Sequence, residues 1–302
     1  MTNYSGKWLH RPNSLTFEVK DSVASITMNC PQKRNCLSFD MLDELHHALL
    51  EADDRVDVNV IILSGTGKDF CAGYDLAGLY AEKGKALDAS GEEVSYRSHS
   101  ATYDDDIWNM QHNVQRLFHL IPKLHKPVIA KVHGNCLAGG AELAFVCDLI
   151  IAAQDAKIGH PATRANGTPP NQTWFYHMGP QWTKRLLFTG DRLSGEDAAK
   201  IGLVLEAVPA DRLDQHVSEL ARKIAAVDPE LLASHKRVVN MAMEQMGSTA
   251  LQSYSIEADA RAHLSTGPRR TQFKKDMAEH GLKVALTNRD APFGDGFAKV
   301  NR

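Results

Sequence analysis

The sequence predicts an α/β protein with a helical C-terminal region. Apolar runs rich in Val and Ile alternate with stretches of helical periodicity through the first two hundred residues. Two segments echo each other: VIILSGTGKDFCAGYDL (60–76) and VIAKVHGNCLAGGAEL (128–143) both pass from an apolar strand through a glycine turn and an Ala-Gly pair to a helix start. From Asp211 onward the pattern is helical only.

Each element follows from its residues. LTFEVKDSVASITM (15–28) holds two short alternating runs about a Lys-Asp turn, which predicts a β-hairpin. Ser38 is placed to cap a helix from Phe39, with Leu42, Leu45 and Leu49 on its apolar face. VNVIILSG (58–65) is a buried strand by its unbroken β-branched run, and the glycine-rich turn after it leads into a short helix. The stretch at about 81–106 is polar, rich in Ser, Gly and Glu, and lacks an apolar period, so a mobile insertion or lid is expected there.

A helix with Ile107, Met110, Val114 and Leu117 on one face ends before Pro122. KPVIAKVHG (126–134) is a second buried strand, and LIIAAQDAKIG (149–159) predicts a third strand with a short hairpin. Ser194 with Asp197 three residues on is a helix-capping pattern, followed by a strand in LVLEAV (203–208). Leu213, Val217, Leu220 and Ile224 open the helical region with spacings of four, three and four, and the tail after Pro292 is expected to be loose. The domain reading is therefore a core over 1–210 carrying the insertion, and a helical region over 211–302.

Composition narrows the function. The 302 residues carry a net charge of -3 with no long Lys/Arg run, which argues against nucleic acid as a partner. The most apolar stretch, 136–153, contains Glu142 and Asp148 and is too short to span a bilayer, so no membrane partner is expected. The opening MTNYSGKWLH lacks a basic segment followed by an apolar core, so no secretory leader is expected. Five cysteines without a CxxC pair predict reduced thiols and a cytoplasmic setting. No HExxH or Cys/His cluster suggests a metal; Gly65-Thr-Gly67-Lys68 lacks the earlier glycine of a P-loop; and no GxGxxG follows the first strand.

The two Ala-Gly turns carry the chemistry. A helix start leaves backbone N–H groups without intrahelical partners, and glycine lets a ligand come close to them. Two such turns can aim one N–H each at a single oxygen and form an oxyanion hole. By position the donors are the amides of Tyr74 and Gly139. Glu142 lies about one helical turn after Gly139 and can face the same pocket as an acid/base; the competing reading pairs it with an Arg or Lys at a subunit contact.

KDFCAGYDLAG and KPVIAKVHGNCLAGGAELAFVCDLIIAAQDAKIG together resemble the enoyl-CoA hydratase/isomerase family, the crotonase superfamily. PQKRNCLS and LFTGDRLSGEDAAKIGLVLEAVP match further blocks in the same order, over roughly residues 15–260. The resemblance implies a crotonase-like spiral of ββα units, C-terminal helices used in trimer contacts, an assembly of three or six chains, and an acyl-CoA thioester as substrate. It needs no cofactor beyond the coenzyme A of that substrate. It implies that the amides of Tyr74 and Gly139 hold the thioester oxygen, and that Lys33, Arg34, Ala72 and Asp75 border the substrate.

One departure limits the analogy. Family hydratases carry a second glutamate on the loop after the next strand, where this sequence has Ala162 in IGHPATRANGT. Glu142 then acts alone, as an isomerase permits, or a replacement comes from His160, Asn171 or His177, or from Asp104, Asp105 or Asp106. Thioester or C–C hydrolysis, and acyl-CoA binding without turnover, stay open as alternatives. Trp174, Phe175 and Tyr176 are candidates to line the acyl site, and each candidate also has a structural reading: a loop histidine, helix capping by the three acids, an aromatic core cluster for those three rings, and small-residue packing for Cys71 and Cys136. His46 and His47 are expected on an exposed helix face.

Overall fold

A computed structural model describes residues 4–79, 85–97 and 101–300. Strands β1 (Leu15–Lys20) and β2 (Val23–Met28) form the predicted antiparallel hairpin, with Leu15 opposite Met28. Leu15, Phe17, Ala24, Ile26 and Met28 point inward, as period-two alternation requires. Helix α1 (Phe39–Asp54) starts where Ser38 accepts a hydrogen bond from the Met41 amide and buries Met41, Leu42, Leu45 and Leu49. Its His46 and His47 are half-buried rather than exposed, because they flank the apolar face at Leu45 and Leu49.

Strand β3 (Val60–Gly65) is buried on both faces and pairs in parallel with β2. A short helix α2 (Leu76–Leu79) follows the first glycine corner. The polar stretch is more ordered than its composition suggested. Strands β4 (Lys85–Leu87) and β5 (Glu93–Ser95) make a small antiparallel hairpin, whose turn is held by Asp88 accepting from the amides of Ser90 and Glu92. Residues 81–84 and 98–100 of that stretch lie outside the described residues. Its C-terminal limit shifts too: helix α3 (Tyr103–Asn109) begins at a Thr102 cap, so the three acids belong to a helical first turn. The apolar period begins only at Ile107, which hid that turn.

A π-turn (Met110–Val114) leads into α4 (Gln115–Leu120), which ends in a 3-10 turn at Ile121–Lys123 containing Pro122. Then come β6 (Val128–Val132), β7 (Asn135–Leu137), α5 (Gly139–Phe145), β8 (Leu149–Ala153) and β9 (Lys157–Gly159). Next follow α6 (Trp174–Thr189), β10 (Arg192–Ser194), α7 (Gly195–Lys200) and β11 (Glu206–Val208). Ser194 caps α7 by accepting from the Asp197 amide.

The main sheet runs β1-β2-β3-β6-β8-β11, parallel after the first pair; a second sheet runs β10-β9-β7. The expected hairpin at 149–159 is therefore corrected. β8 has both edges occupied, by β6 and β11, so β9 leaves for the other sheet and pairs with β7 and β10.

The C-terminal region is helical: α8 (Leu213–Ala225), α9 (Pro229–Gln245), α10 (Ser248–His263), α11 (Pro268–His280) and α12 (Leu282–Asp290). Leu213, Val217 and Ala221 of α8 are buried in the core. Lys236 of α9 ties the region to the sheet, donating to the carbonyls of Ile121 (2.9 Å) and Lys126 (3.0 Å) and to Asp148 Oδ2 (2.7 Å). The tail is not loose. The Arg192 amide donates to the Gly296 carbonyl, the Ala298 amide donates to the Arg192 carbonyl, and the Arg192 guanidinium lies 4.6 Å from the centre of the Phe297 ring. Backbone pairing to β10 holds it, which its polar residues alone do not announce.

Candidate active site

The two glycine corners are zipped together. The Cys71 amide donates to the Asn135 carbonyl and the Leu137 amide donates back to the Cys71 carbonyl, both at 3.0 Å. Asp69 reinforces this by accepting from the Asn135 amide at 2.9 Å and from its side chain. Asn35, fully buried, ties the preceding loop to the same place: it donates to the carbonyls of Thr66 and Asp69 and accepts from the Cys30 amide. That places Lys33 and Arg34 beside the first corner.

The approach is too close for side chains. A Cβ on Gly140 would stand 2.4 Å from the Cys71 carbonyl oxygen. A Cβ on Gly73, which has φ 106°, would stand 3.0 Å from the Ala138 Cβ and 3.5 Å from the Gly139 nitrogen. Ala138 itself sits at φ 49°, ψ -123°, a region that residues with a Cβ avoid at a cost of about 1–3 kcal/mol. That strained residue turns the chain so that the Gly139 amide leads α5. Among the described residues, the amides of Tyr74 and Gly139 donate to no protein acceptor, although the Asp75 amide next door is bonded to the Leu37 carbonyl.

Both corners border one cavity of about 760 Å³, whose walls include Ala72, Tyr74, Asp75, Leu137, Ala138 and Ala162. Lys33 and Arg34 also border it; the Lys33 ammonium lies 3.2 Å from Asp75 Oδ2, and the Arg34 guanidinium 3.9 Å from Asp69. The Tyr74 ring lies against Gly139, where a Cβ would come within 2.7 Å of ring carbons. The Tyr74 hydroxyl donates to Glu142 Oε2 at 3.1 Å, and the Gln115 side-chain amide approaches that hydroxyl at 3.5 Å.

Glu142 is fully buried, and its Oε1 has no hydrogen-bond partner among the described residues. It stands 3.7 Å from His160 Nδ1, which also lacks one. The route by which His160 arrives is short: Ala138 donates to the Gly159 carbonyl through the β7–β9 pairing, so the residue after β9 falls beside α5. Burial, and then the charge of Asp259, push the Glu142 carboxyl well above the usual carboxylate range, against the opposing Tyr74 hydrogen bond. Burial, helped by Arg289, pulls His160 down to about 3, so its ring is neutral at pH 7. The pair is a protonation-prone acid beside a neutral base.

The other sequence candidates fall elsewhere. Asp105 is not at the cavity: it pairs with Arg97 at 2.5 Å on the outside of α3, because helical geometry turns it away from the inward face. Asp106, one residue on, is the buried acid, and it meets His263 Nδ1 at 2.8 Å. Asn171 accepts from the Thr173 amide and the Gln252 side chain, and His177 Nε2 bonds the Phe145 carbonyl; neither lines the cavity. Trp174 is buried edge-on against Phe145, Phe175 is exposed, and the Tyr176 hydroxyl donates to the Met246 carbonyl; none of the three lines the cavity. Cys71 and Cys136 are buried, and burial raises the Cys71 thiol to about 12, which leaves no thiolate for nucleophilic work.

Sequence reasoning missed Asn35 and the pair Asp259 and His263, both of which line the cavity from α10. Their spacing of four on one helix was visible, but nothing local says that α10 covers the site.

With this geometry in view, comparison with known proteins is direct. Residues 18–293 match the sequence model of the family described as Enoyl-CoA hydratase/isomerase. A crotonyl-CoA hydratase of Syntrophomonas wolfei is 32% identical over 254 residues, spanning 82% of this chain and 88% of that protein. A crystal structure of an enoyl-CoA hydratase from Mycobacterium smegmatis superposes with a TM-score of 0.82 at 36% identity, over 94% of this chain and 95% of that one. An enoyl-CoA hydratase/isomerase from Xanthobacter autotrophicus Py2 gives 0.83 at 30% identity, over 94% and 99%. The fold is that of the crotonases, and the chain belongs to the enoyl-CoA hydratase/isomerase family.

Proposed function

We propose that this protein transforms acyl-CoA thioesters as an enoyl-CoA hydratase or isomerase. The thioester oxygen lies between the amides of Tyr74 and Gly139, which stabilise the enolate that forms when the α-carbon loses a proton or the β-carbon gains a nucleophile. Donors of this kind are each worth about 3–4 kcal/mol of barrier. Glu142 exchanges a proton with the acyl chain. Lys33 and Arg34 meet the phosphates of coenzyme A at the mouth, where Lys33 exchanges its bond to Asp75 for a phosphate oxygen. Ala72 and Asp75 border the thioester end. The coenzyme A of the substrate is the only cofactor the reaction needs. The helices of 211–302 make the contacts of a homotrimer or a hexamer, in the reducing cytoplasm that five free cysteines suit.

The observation that carries this reading is that both glycine corners border one cavity, with the amides of Tyr74 and Gly139 unbonded among the described residues and a buried acid, Glu142, one helical turn after Gly139. An acyl-CoA panel read by mass spectrometry tests it: water addition or double-bond migration is expected, and release of free acid would assign a hydrolase instead. Glu142→Gln is expected to keep acyl-CoA binding by calorimetry and lose turnover by ~100-fold or more. Binding with no product from any member of the panel would leave an acyl-CoA binder.

A further inference from the structure

The loop that carries Ala162 offers the cavity no carboxylate at that position, yet a carboxylate reaches the same loop from the C-terminal region. Asp259 of α10 lies against residues 166–168: its Oδ1 accepts from the Thr168 amide at 2.9 Å, and a Cβ on Gly167 would come within 2.4 Å of that oxygen. The missing side chain at Gly167 is what gives Asp259 room. His263, one turn further on, holds Asp259 Oδ2 at 3.5 Å through Nε2 and Asp106 Oδ2 at 2.8 Å through Nδ1. Asp259, His263, Tyr74, His160 and Ala162 all line one cavity.

From this we infer that Asp259 is the second catalytic carboxylate of the hydration reaction, that His263 positions it, and that Asp106 holds His263. The inference rests on the acyl-CoA reading above and deepens it. The alternative in which Asp259 merely anchors the loop accounts for one oxygen, the one facing Thr168. It does not account for an aspartate, a histidine and a second aspartate in series, two of them on a cavity wall. The charge of Asp259 also reaches the other acid: it is among the causes that raise both Glu142 and the Tyr74 hydroxyl, after burial.

The step balances without a further reactant. A water at Asp259 adds its oxygen to the β-carbon, and its proton passes to the Asp259 carboxylate. The π pair moves through the α-carbon to the thioester oxygen at the two amides. The α-carbon then takes the proton of the Glu142 carboxyl, giving the 3-hydroxyacyl thioester. Proton transfer through the next water to enter returns Asp259 to the carboxylate and Glu142 to the acid.

Among the described residues, the charged groups that act on His263 include Asp259 on its own helix, Asp106 from α3 and Arg270 from α11. Burial lowers the His263 pKa, but the two aspartates outweigh it and the ring is held above its ordinary value. His263 thus holds a proton more readily than an ordinary imidazole, beside Asp259.

The test separates two reactions in the full-length protein. Exchange of the α-proton of butyryl-CoA with deuterated water requires Glu142 and the amides; hydration of crotonyl-CoA and longer trans-2-enoyl-CoAs requires Asp259 as well. Asp259→Asn keeps an oxygen for Thr168 and is expected to lower the ratio of hydration to exchange by ~100-fold or more. His263→Gln is expected to move the acid limb of the hydration pH profile to higher pH relative to that of exchange. An unchanged ratio in Asp259→Asn, or an unmoved limb in His263→Gln, overturns the inference while leaving Glu142 in place. Exchange without hydration of any enoyl-CoA by the unaltered protein also overturns it and leaves isomerisation. Neither exchange nor hydration removes the acyl-CoA reading itself.

Discussion

Removing the carboxyl of Glu142 should stabilise the protein. The carboxyl is fully buried, its Oε1 has no partner among the described residues, and His160 Nδ1 waits 3.7 Å away in the same condition. In Glu142→Gln the carbonyl oxygen still accepts from the Tyr74 hydroxyl, and the amide can donate to His160 in its Nε2–H tautomer. Satisfying buried polar atoms of this kind is worth about 1–3 kcal/mol. Charge adds to it. The folded-state pKa of Glu142 is raised, so the stability linked to its proton is fully present below the unfolded value of 4.5 and is lost as pH rises towards the folded value. The variant has no such loss, and its advantage widens with pH at up to ~1.4 kcal/mol per unit until the folded carboxyl ionises. Urea unfolding of both proteins at pH 5 and pH 7.5, at one protein concentration, measures the two gaps. A gap that narrows with rising pH, or a variant weaker at both values, would refute the account of Glu142 as a destabilised buried acid.

Two further outcomes follow from other buried groups. His160 is depressed from 6.5 to about 3, so the unfolded chain binds its proton first and stability falls as pH drops below 6.5. At pH 5 this amounts to ~2 kcal/mol, and the difference between the native protein and His160→Gln, measured by urea midpoints at pH 7.5 and 5, should shift by that amount. Lys236→Met strands Asp148 with its charge largely buried and should cost about 3–5 kcal/mol in the same assay, part of which Lys236→Met with Asp148→Asn restores. A loss below 1 kcal/mol would show that the backbone, rather than this pair, ties α9 to the sheet.

What could be read in the sequence was local. The Ser38 and Ser194 caps, the hairpin at 15–28 and the two glycine corners each depend on residues within a few positions, and the structure has each of them. What escaped depends on distant partners. β9 changes sheets because β8 has no free edge, and the tail is held by Arg192 more than a hundred residues earlier. Asp105 was the wrong member of its run because choosing between adjacent acids needs the rotation of α3, which the polar first turn conceals. Asp259 and His263 carry no local signal, because only the packing of α10 against the loop of Gly167 brings them to the cavity. Asn35 lies in the PQKRNCLS block, but its role was not legible there, since its bonds reach Cys30, Thr66 and Asp69.

The locked pair at Cys71 and Cys136 has an evolutionary corollary. That floor tolerates almost no remodelling, since an added methyl at Gly140 meets a carbonyl oxygen. The cavity wall contributed by Leu282 and Leu286 of α12 is built from side chains that can change without disturbing that floor. New substrate preferences in such a scaffold should therefore arise at these two positions, and exchanging them for those of a relative should carry selectivity across while the two amides, Glu142 and Asp259 stay as they were.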